Sequence, residues 1–295
     1  MKKIFTLFAT LFSITVWSQD DLMKELEQSK KPETSYALQT FKSTRIINGQ
    51  SVETKGKGEL EFIFSHRFGT LNTGSYGAWG FDSYALVRLG LEYGISDRFG
   101  VGIGRVFSGD NKMVDLYGRY KVMQQSTGEK NFPVTITAIG TITYQAANDP
   151  NAPFGSTSDR MGYVLEVLFA RKFSSKFSAQ VSPIFVHRNF IVDKFTENND
   201  DYAVAIAARY KVTKSVAVIG EYTPRVNAHT NSPYYDAAGL GVDIETGGHV
   251  FQLIFTNSLG LNPQQVVTQT DGNISDGGVH FGFNITRTFQ LSKRK

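Results

Sequence analysis

From Lys57 onward, apolar and polar residues alternate with period two in segment after segment of about 10 to 14 residues. Only an extended strand sends successive side chains to opposite faces, so this pattern commits the chain to β structure. "RLGLEYGISDRFGVGIGR" (Arg88 to Arg105) puts Leu89, Leu91, Tyr93, Ile95, Phe99, Val101 and Ile103 on one side. Arg88, Gly90, Glu92, Gly94, Gly100, Gly102 and Gly104 fall on the other. "GELEFIFSHRFG" sets Leu60, Phe62, Phe64 and Phe68 against Glu59, Glu61, Ser65 and Arg67. "MVDLYGRYKV", "VAIAARYKV" and "VHFGFNITRTF" repeat the division.

The pattern predicts about twelve strands, near 57–69, 83–95, 99–109, 112–125, 133–146, 161–174, 177–189, 200–213, 216–227, 237–246, 249–260 and 279–291. One turn motif recurs: Ile95-Ser-Asp-Arg-Phe99, Phe173-Ser-Ser-Lys-Phe177 and Val212-Thr-Lys-Ser-Val216. Three copies of one tight hairpin imply an up-and-down meander. Tight turns at 96–98, 174–176, 213–215 and 247–248 alternate with longer polar loops at 70–82, 147–160, 190–199, 226–236 and 261–278. Short turns at one end and long loops at the other characterise outer-membrane barrels.

A soluble sandwich also alternates, but three features favour lipid outside. The strands approach the ~9–11 residues that a tilted strand needs to cross hydrocarbon. Aromatics recur at strand ends (Phe68, Tyr93, Phe99, Phe173, Phe177, Tyr210, Tyr222, Phe289), where an interfacial girdle sits. An even count lets the sheet close and lose its edges, which lipid demands. Arg171 and Arg287 fall in the lipid phase, each two residues from an aromatic at a strand end, where a guanidinium can snorkel to headgroups. Pro183 within a predicted wall strand suggests a local bulge.

The inward phase then carries a charged network: Glu61, Arg67, Arg88, Glu92, Asp115, Arg119, Glu166, Arg188, Arg209, Glu221, Arg225 and Asp243. Such charges either pair and fill the barrel or line a polar path for solutes. Twelve strands enclose more than the eight-stranded barrels that side chains fill. Arg67, Arg188 and Arg225, near the outer rim, suggest a mild preference for anionic solutes.

The first residues read as a signal peptide: Lys2 and Lys3, an apolar run from Ile4 to Trp17, then Ser18. Cleavage after Ser18 lowers Lys plus Arg from 31 to 29 against 27 acidic residues, so no basic nucleic-acid face is indicated. A weak helix is expected from Asp20 to Lys31. Next, "FKSTRIINGQSVET" is extended and polar, with an Asn48-Gly49 pair favouring a type I′ turn. Strand parity keeps residues 19–56 out of the wall, so they are expected in the periplasm or in the lumen as a plug, with 57–295 forming the barrel. An envelope partner could engage the same segment.

The absence of cysteine excludes disulfides, thiol catalysis and cysteine-held metals. "GVGIGR" lacks the following helix of a nucleotide loop, and its glycines alternate as space-giving positions. "DGNISDGG" lacks the sixth-position glycine and closing glutamate of a calcium loop. His66 and His187 lie in the lipid phase, where an outer-membrane phospholipase would carry its histidine, but no serine is convincingly placed beside them. No catalytic, metal or cofactor residue is assigned.

"FKSTRIINGQSVET", "GELEFIFSHRFG" and "YGISDRFGVGIGR" together resemble an uncharacterised family of β-barrel proteins from Bacteroidota envelopes, over most of the processed chain. The resemblance implies fold and location only. The expectation is a monomeric, all-β, closed antiparallel barrel of about twelve strands in the outer membrane, in contact with its lipid. It would act as a porin-like channel or binding barrel for small polar or anionic solutes. A non-conducting structural or interaction barrel is the alternative, and a hydrolase the weakest reading.

Overall fold

The computed structural model describes residues 33–107, 112–147 and 154–292. The signal peptide and the Asp20–Lys31 helix expected from the sequence lie outside the described residues. Twelve strands form the wall: β2 (Glu59–Thr70), β3 (Leu86–Gly94), β4 (Phe99–Phe107), β5 (Met113–Met123), β7 (Thr135–Gln145), β8 (Met161–Lys172), β9 (Phe177–Arg188), β10 (Asp200–Lys211), β11 (Val216–Thr223), β12 (Ala237–Thr246), β13 (His249–Thr256) and β14 (His280–Gln290). Each pairs antiparallel with its chain neighbours, and β14 pairs with β2 to close the barrel. The closed, all-β, up-and-down architecture expected from the sequence is thus the observed one. A separate two-stranded ribbon joins β1 (Ser35–Tyr36) to β6 (Ser126–Thr127) at a turn end of the barrel.

The phase of every quoted segment holds. Leu89, Leu91, Tyr93, Phe99 and Ile103 face outward, while Arg88, Glu92 and the alternating glycines are buried inside. The inward glycines make room: a Cβ on Gly102 would strike the Tyr117 ring, and one on Gly104 the Arg88 guanidinium. The strand-end aromatics face out as well, and the guanidinium carbons of Arg171 and Arg287 sit 5.4 and 4.7 Å from the ring centroids of Phe173 and Phe289. The recurring turn is stabilised identically in each copy. The hydroxyl of Ser96, Ser174 or Thr213 accepts the backbone N–H of Phe99, Phe177 or Val216 at 3.0 Å.

Three expectations are corrected. Pro183 causes no bulge: the register of β9 against both β8 and β10 is unbroken, and only the ladder bridges of Val167, opposite it, and of the adjacent Leu168 are lost. Real irregularities lie at His280/Gly282 and Lys121/Met123. Strand β13 ends at Thr256 rather than near residue 260, because the chain there turns into the barrel. The stretch expected as a polar outer loop from 261 is instead buried through Thr268, and its six-residue helix α1 (Pro263–Thr268) has no exposed residue. Among the described residues no helix is long and apolar enough to cross a membrane.

Leu165, midway along β8 and well exposed on the outer wall, tests the lipid assignment. Leu165→Arg is expected to cost about 2–4 kcal/mol in urea unfolding from lipid vesicles, the cost of a cation at the bilayer midplane. A stability loss below about 1 kcal/mol would place that face outside hydrocarbon.

Candidate functional site

The lumen begins as a ring of inward charges that the strands present at alternate positions. Arg88 grips Asp115 across the sheet with two hydrogen bonds, 2.9 and 2.5 Å. Arg119 lies 3.2 Å from Glu92, which also accepts the Tyr117 hydroxyl at 3.0 Å. Arg209 meets Asp243 at 3.0 Å and Glu245 at 2.5 Å. Arg88–Asp115, Arg119–Glu92 and Arg209–Asp243 are the pairs formed among the twelve residues singled out from the sequence; Glu245 and Tyr117 join them from the same inner face.

The remaining charges are answered from a second layer, residues 40–55, which run inside the barrel. Arg45 and Gln50 bridge as a tight hairpin. The Glu221 carboxylate accepts the backbone N–H groups of Gly49, at 3.0 and 3.1 Å, and of Ile47, at 3.3 Å. The turn residues are therefore Ile47 and Asn48, neither at positive φ, so the expected type I′ Asn48-Gly49 turn does not form. A wall carboxylate, rather than the intrinsic preference of Asn-Gly, fixes its shape. Arg67 donates to the Ile47 carbonyl at 3.0 Å and to Asn284 at 3.1 Å. Glu61 takes Lys55 at 2.8 Å and the Thr44 hydroxyl at 2.5 Å. Arg119 also reaches the Gln50 side chain and the carbonyls of Ser51 and Glu53. Gln180 accepts from Val52 N–H at 3.0 Å and donates to the Gln50 carbonyl at 2.7 Å.

Apolar packing accompanies these bonds. Phe41, Ile46, Ile47 and Val52 are buried with inward-facing Ile139, Leu168, Ile219 and Ile254. At roughly 1.5–3 kcal/mol for each such side chain fully buried, the insert is held as a protein core holds its own residues. Arg45 sits in this core, 5.9 Å from the Tyr117 ring centroid. Burial, and then the charge of Arg88, lowers its pKa from the ordinary arginine value.

The outer half is closed by residues 257–270. Asn262 caps α1 by accepting Gln265 N–H at 3.0 Å, with Pro263 as the first helical residue. Gln264 meets the Thr143 hydroxyl, and Gly162 leaves the space it occupies. Between the two inserts remains a cavity of about 10 Å³, bordered by Glu166, Gln180, Glu221 and Val267, room for one water. Glu166 is buried there with one carboxylate oxygen lacking a hydrogen bond.

Open vestibules lie at both mouths. One, of about 480 Å³, is bordered by Lys42, Lys55, Glu59, Glu61 and Glu245. The other, of about 260 Å³, is bordered by Arg160, Arg188, Glu197, Tyr234, Gln264 and Gln269. Arg67, Arg188 and Arg225, the arginines expected to favour anions at this mouth, are each engaged by the protein itself. Arg188 is paired with Glu197 at 2.5 Å and Asp201 at 3.3 Å, and Arg225 lies 3.4 Å from Asp236. Arg67 is buried beneath the hairpin.

All twelve predicted residues face inward, but the sequence reading missed Lys55, Gln50, Tyr117, Gln180 and Asn284 as their partners. Period two places Tyr117 and Asn284 inside, but an uncharged side chain carries no local sign of the charge it will meet. The capped Asn262-Pro263 start was the available signal for α1.

The sequence agrees with this geometry: residues 41–289 match the family model of the membrane-bound β-barrel domain, DUF5777. The chain belongs to that family. Its match begins at Phe41, so the family's domain includes the luminal segment together with the wall. No curated protein sequence matches. Among solved structures, the NanC porin is 8% identical, with 79% of this chain and 100% of that one covered and a TM-score of 0.48. Omp33 of Acinetobacter baumannii is 10% identical over 81% and 100%, with a TM-score of 0.44. Outer-membrane phospholipase A of Escherichia coli is 10% identical over 81% and 92%, with a TM-score of 0.45. In this family member, His187 binds Asp200 at 2.6 Å and Asn189 at 3.0 Å, and His66 stacks on Phe283 with centroids 5.3 Å apart. Neither histidine has a serine hydroxyl as a hydrogen-bond partner among the described residues.

The Arg88–Asp115 pair offers a test of the lumen's electrostatics. Asp115→Leu alone is expected to destabilise the barrel by about 3–5 kcal/mol in chemical denaturation, by stranding a buried guanidinium. Adding Arg88→Met should recover most of that loss, whereas independent effects would simply add.

Proposed function

We propose that this family member is a porin-like barrel of the outer membrane that binds and passes small hydrophilic solutes, and that the described conformation is its closed state. The observation that carries this reading is where the obstruction lies. Both blocks, residues 40–55 and 257–270, are inserts within the wall, and polar vestibules of about 480 and 260 Å³ stand on either side of them. The wall itself presents hydrogen-bonding groups along its inner face, among them Glu61, Thr137, Gln180, Glu221, Gln252 and Asn284. Displacing the inserts would leave a hydrated path lined by these groups. Neutral polar solutes fit it at least as well as anions, because Arg188 and Arg225 already face carboxylates and Arg160 donates to the carbonyls of Gln145 and Ala147. Residues 19–56 act in this reading as the plug and as the segment available to a periplasmic partner. The motif resemblance favours a Bacteroidota envelope as its setting.

A second reading, a permanently closed structural barrel, is favoured by the apolar packing of Phe41, Ile46, Ile47 and Val52. Planar-bilayer recording separates the two. The full chain is expected to be silent or to open rarely. Deleting residues 33–56 should give intermittent openings, and also replacing 262–269 by a short Gly-Ser link should give a steady pore. A doubly altered barrel that keeps its heat-modifiable gel mobility yet never conducts would leave only the structural reading.

A further inference from the structure

We propose that the loop joining β2 to β3, residues 71–85, is a membrane anchor that lies in the headgroup–acyl boundary of the outer leaflet. The loop reads LNTGSYGAWGFDSYA: four aromatics and a single charged residue, Asp82. Loop 189–199, by contrast, carries Asp193, Lys194 and Glu197. Tyr76, Trp79, Phe81 and Tyr84 are all exposed, Tyr76 fully so. A loop at a barrel's outer rim that faced water would have no reason to expose four large rings together, whereas Trp and Tyr favour the membrane interface, where one end is wet and the other apolar.

What commits the loop to lipid, and not to another protein, is its continuity with the outer wall. The Phe81 ring packs on Phe68 at 4.7 Å and on Phe281 at 5.9 Å between centroids, and Phe281 continues to Phe255 at 5.4 Å. Phe68, Phe255 and Phe281 belong to the outward phase of β2, β13 and β14, so Phe81 extends the lipid-facing surface beyond the strand ends. The backbone is built for that close approach. Gly80, at φ +89°, rests on the carbonyl of Gly69 in β2, where any Cβ would collide. Ala78 and Trp79 both hold positive φ, 46° and 51°, a conformation that side chains resist and that directs this turn.

The loop also meets the demand that hydrocarbon makes of any backbone. Trp79 N–H donates to the Gly74 carbonyl at 2.7 Å, Gly80 N–H to Gly77 at 2.9 Å and Phe81 N–H to Ala78 at 3.2 Å. Its start is tied to the wall by Leu71 N–H donating to the Val279 carbonyl at 2.8 Å. A compact loop of nearly neutral composition, with the backbone N–H groups from Gly77 to Ser83 bonded internally, can sit at the headgroup boundary, where water serves the remaining polar groups.

The chain contains two tryptophans, Trp17 and Trp79, so Trp17→Phe in the full chain makes Trp79 the sole indole reporter. The barrel is reconstituted into phosphatidylcholine vesicles whose acyl chains are brominated either near the glycerol end or near the methyl end. Trp79 fluorescence is expected to be quenched by the shallow bromines more than by the deep ones, and to be shielded from aqueous acrylamide. Phe81→Ala in the same background should lose most of the bromine quenching while the heat-modifiable mobility of the barrel is kept. Free access of acrylamide with no bromine quenching would overturn the proposal. So would a Trp79 shielded from both quenchers, which would indicate a protein occupant. Quenching unchanged by Phe81→Ala would overturn the role of the Phe81 contacts in holding the loop to the wall.

Discussion

Hydrocarbon offers no partner to a peptide N–H or carbonyl, and that single deficit organises this molecule. Each wall strand must find both neighbours, so the first and last strands must find each other. The β14–β2 seam does this over ten register pairs, from Gln290 with Glu59 to His280 with Thr70, with one irregularity near the outer end. Closure abolishes the edges through which sheets otherwise aggregate. It also creates an interior, and the alternation of side chains that satisfies lipid outside sends every second residue into that interior.

The interior then poses its own electrostatic problem. Charges withdrawn from water are costly unless paired and hydrogen-bonded. Where wall strands supply both members, as with Arg88 and Asp115, the wall suffices. Where they do not, the inserted segment supplies the partner: backbone amides for Glu221, a carbonyl for Arg67, Lys55 for Glu61. The luminal segment and the wall charges are thus mutually dependent. Removing the segment unpairs wall groups that only incoming water or solute could satisfy, which links closure of the barrel to the chemistry of anything that might replace the plug.

The wall was legible because its information is local. Period two in "RLGLEYGISDRFGVGIGR" sorts each residue to a face without reference to any other part of the chain, and the Ser/Thr turn motif fixes where the next strand begins. The twelve inward charges followed from the same local rule. The site's pairing did not, because Glu221 and Gly49 stand 172 positions apart and Thr143 and Gln264 stand 121 apart. Two local readings failed for the same reason. The Asn48-Gly49 turn preference yielded to backbone N–H groups donating to Glu221, and residues 261–270 of the expected outer loop proved to be lumen filling rather than surface.

By itself, then, the sequence determined the wall: strand number, the side facing lipid, the end that carries the short turns, and the identity of the inward charges. These depend only on the alternation of side chains along an extended backbone and on the intolerance of hydrocarbon for unpaired peptide groups. Only the tertiary structure decided what fills the barrel, which charges meet, and that Phe81 leaves its loop to join the rings of Phe68 and Phe281. Period two says which face a residue occupies; what stands across the lumen is set by closure, which brings distant segments together.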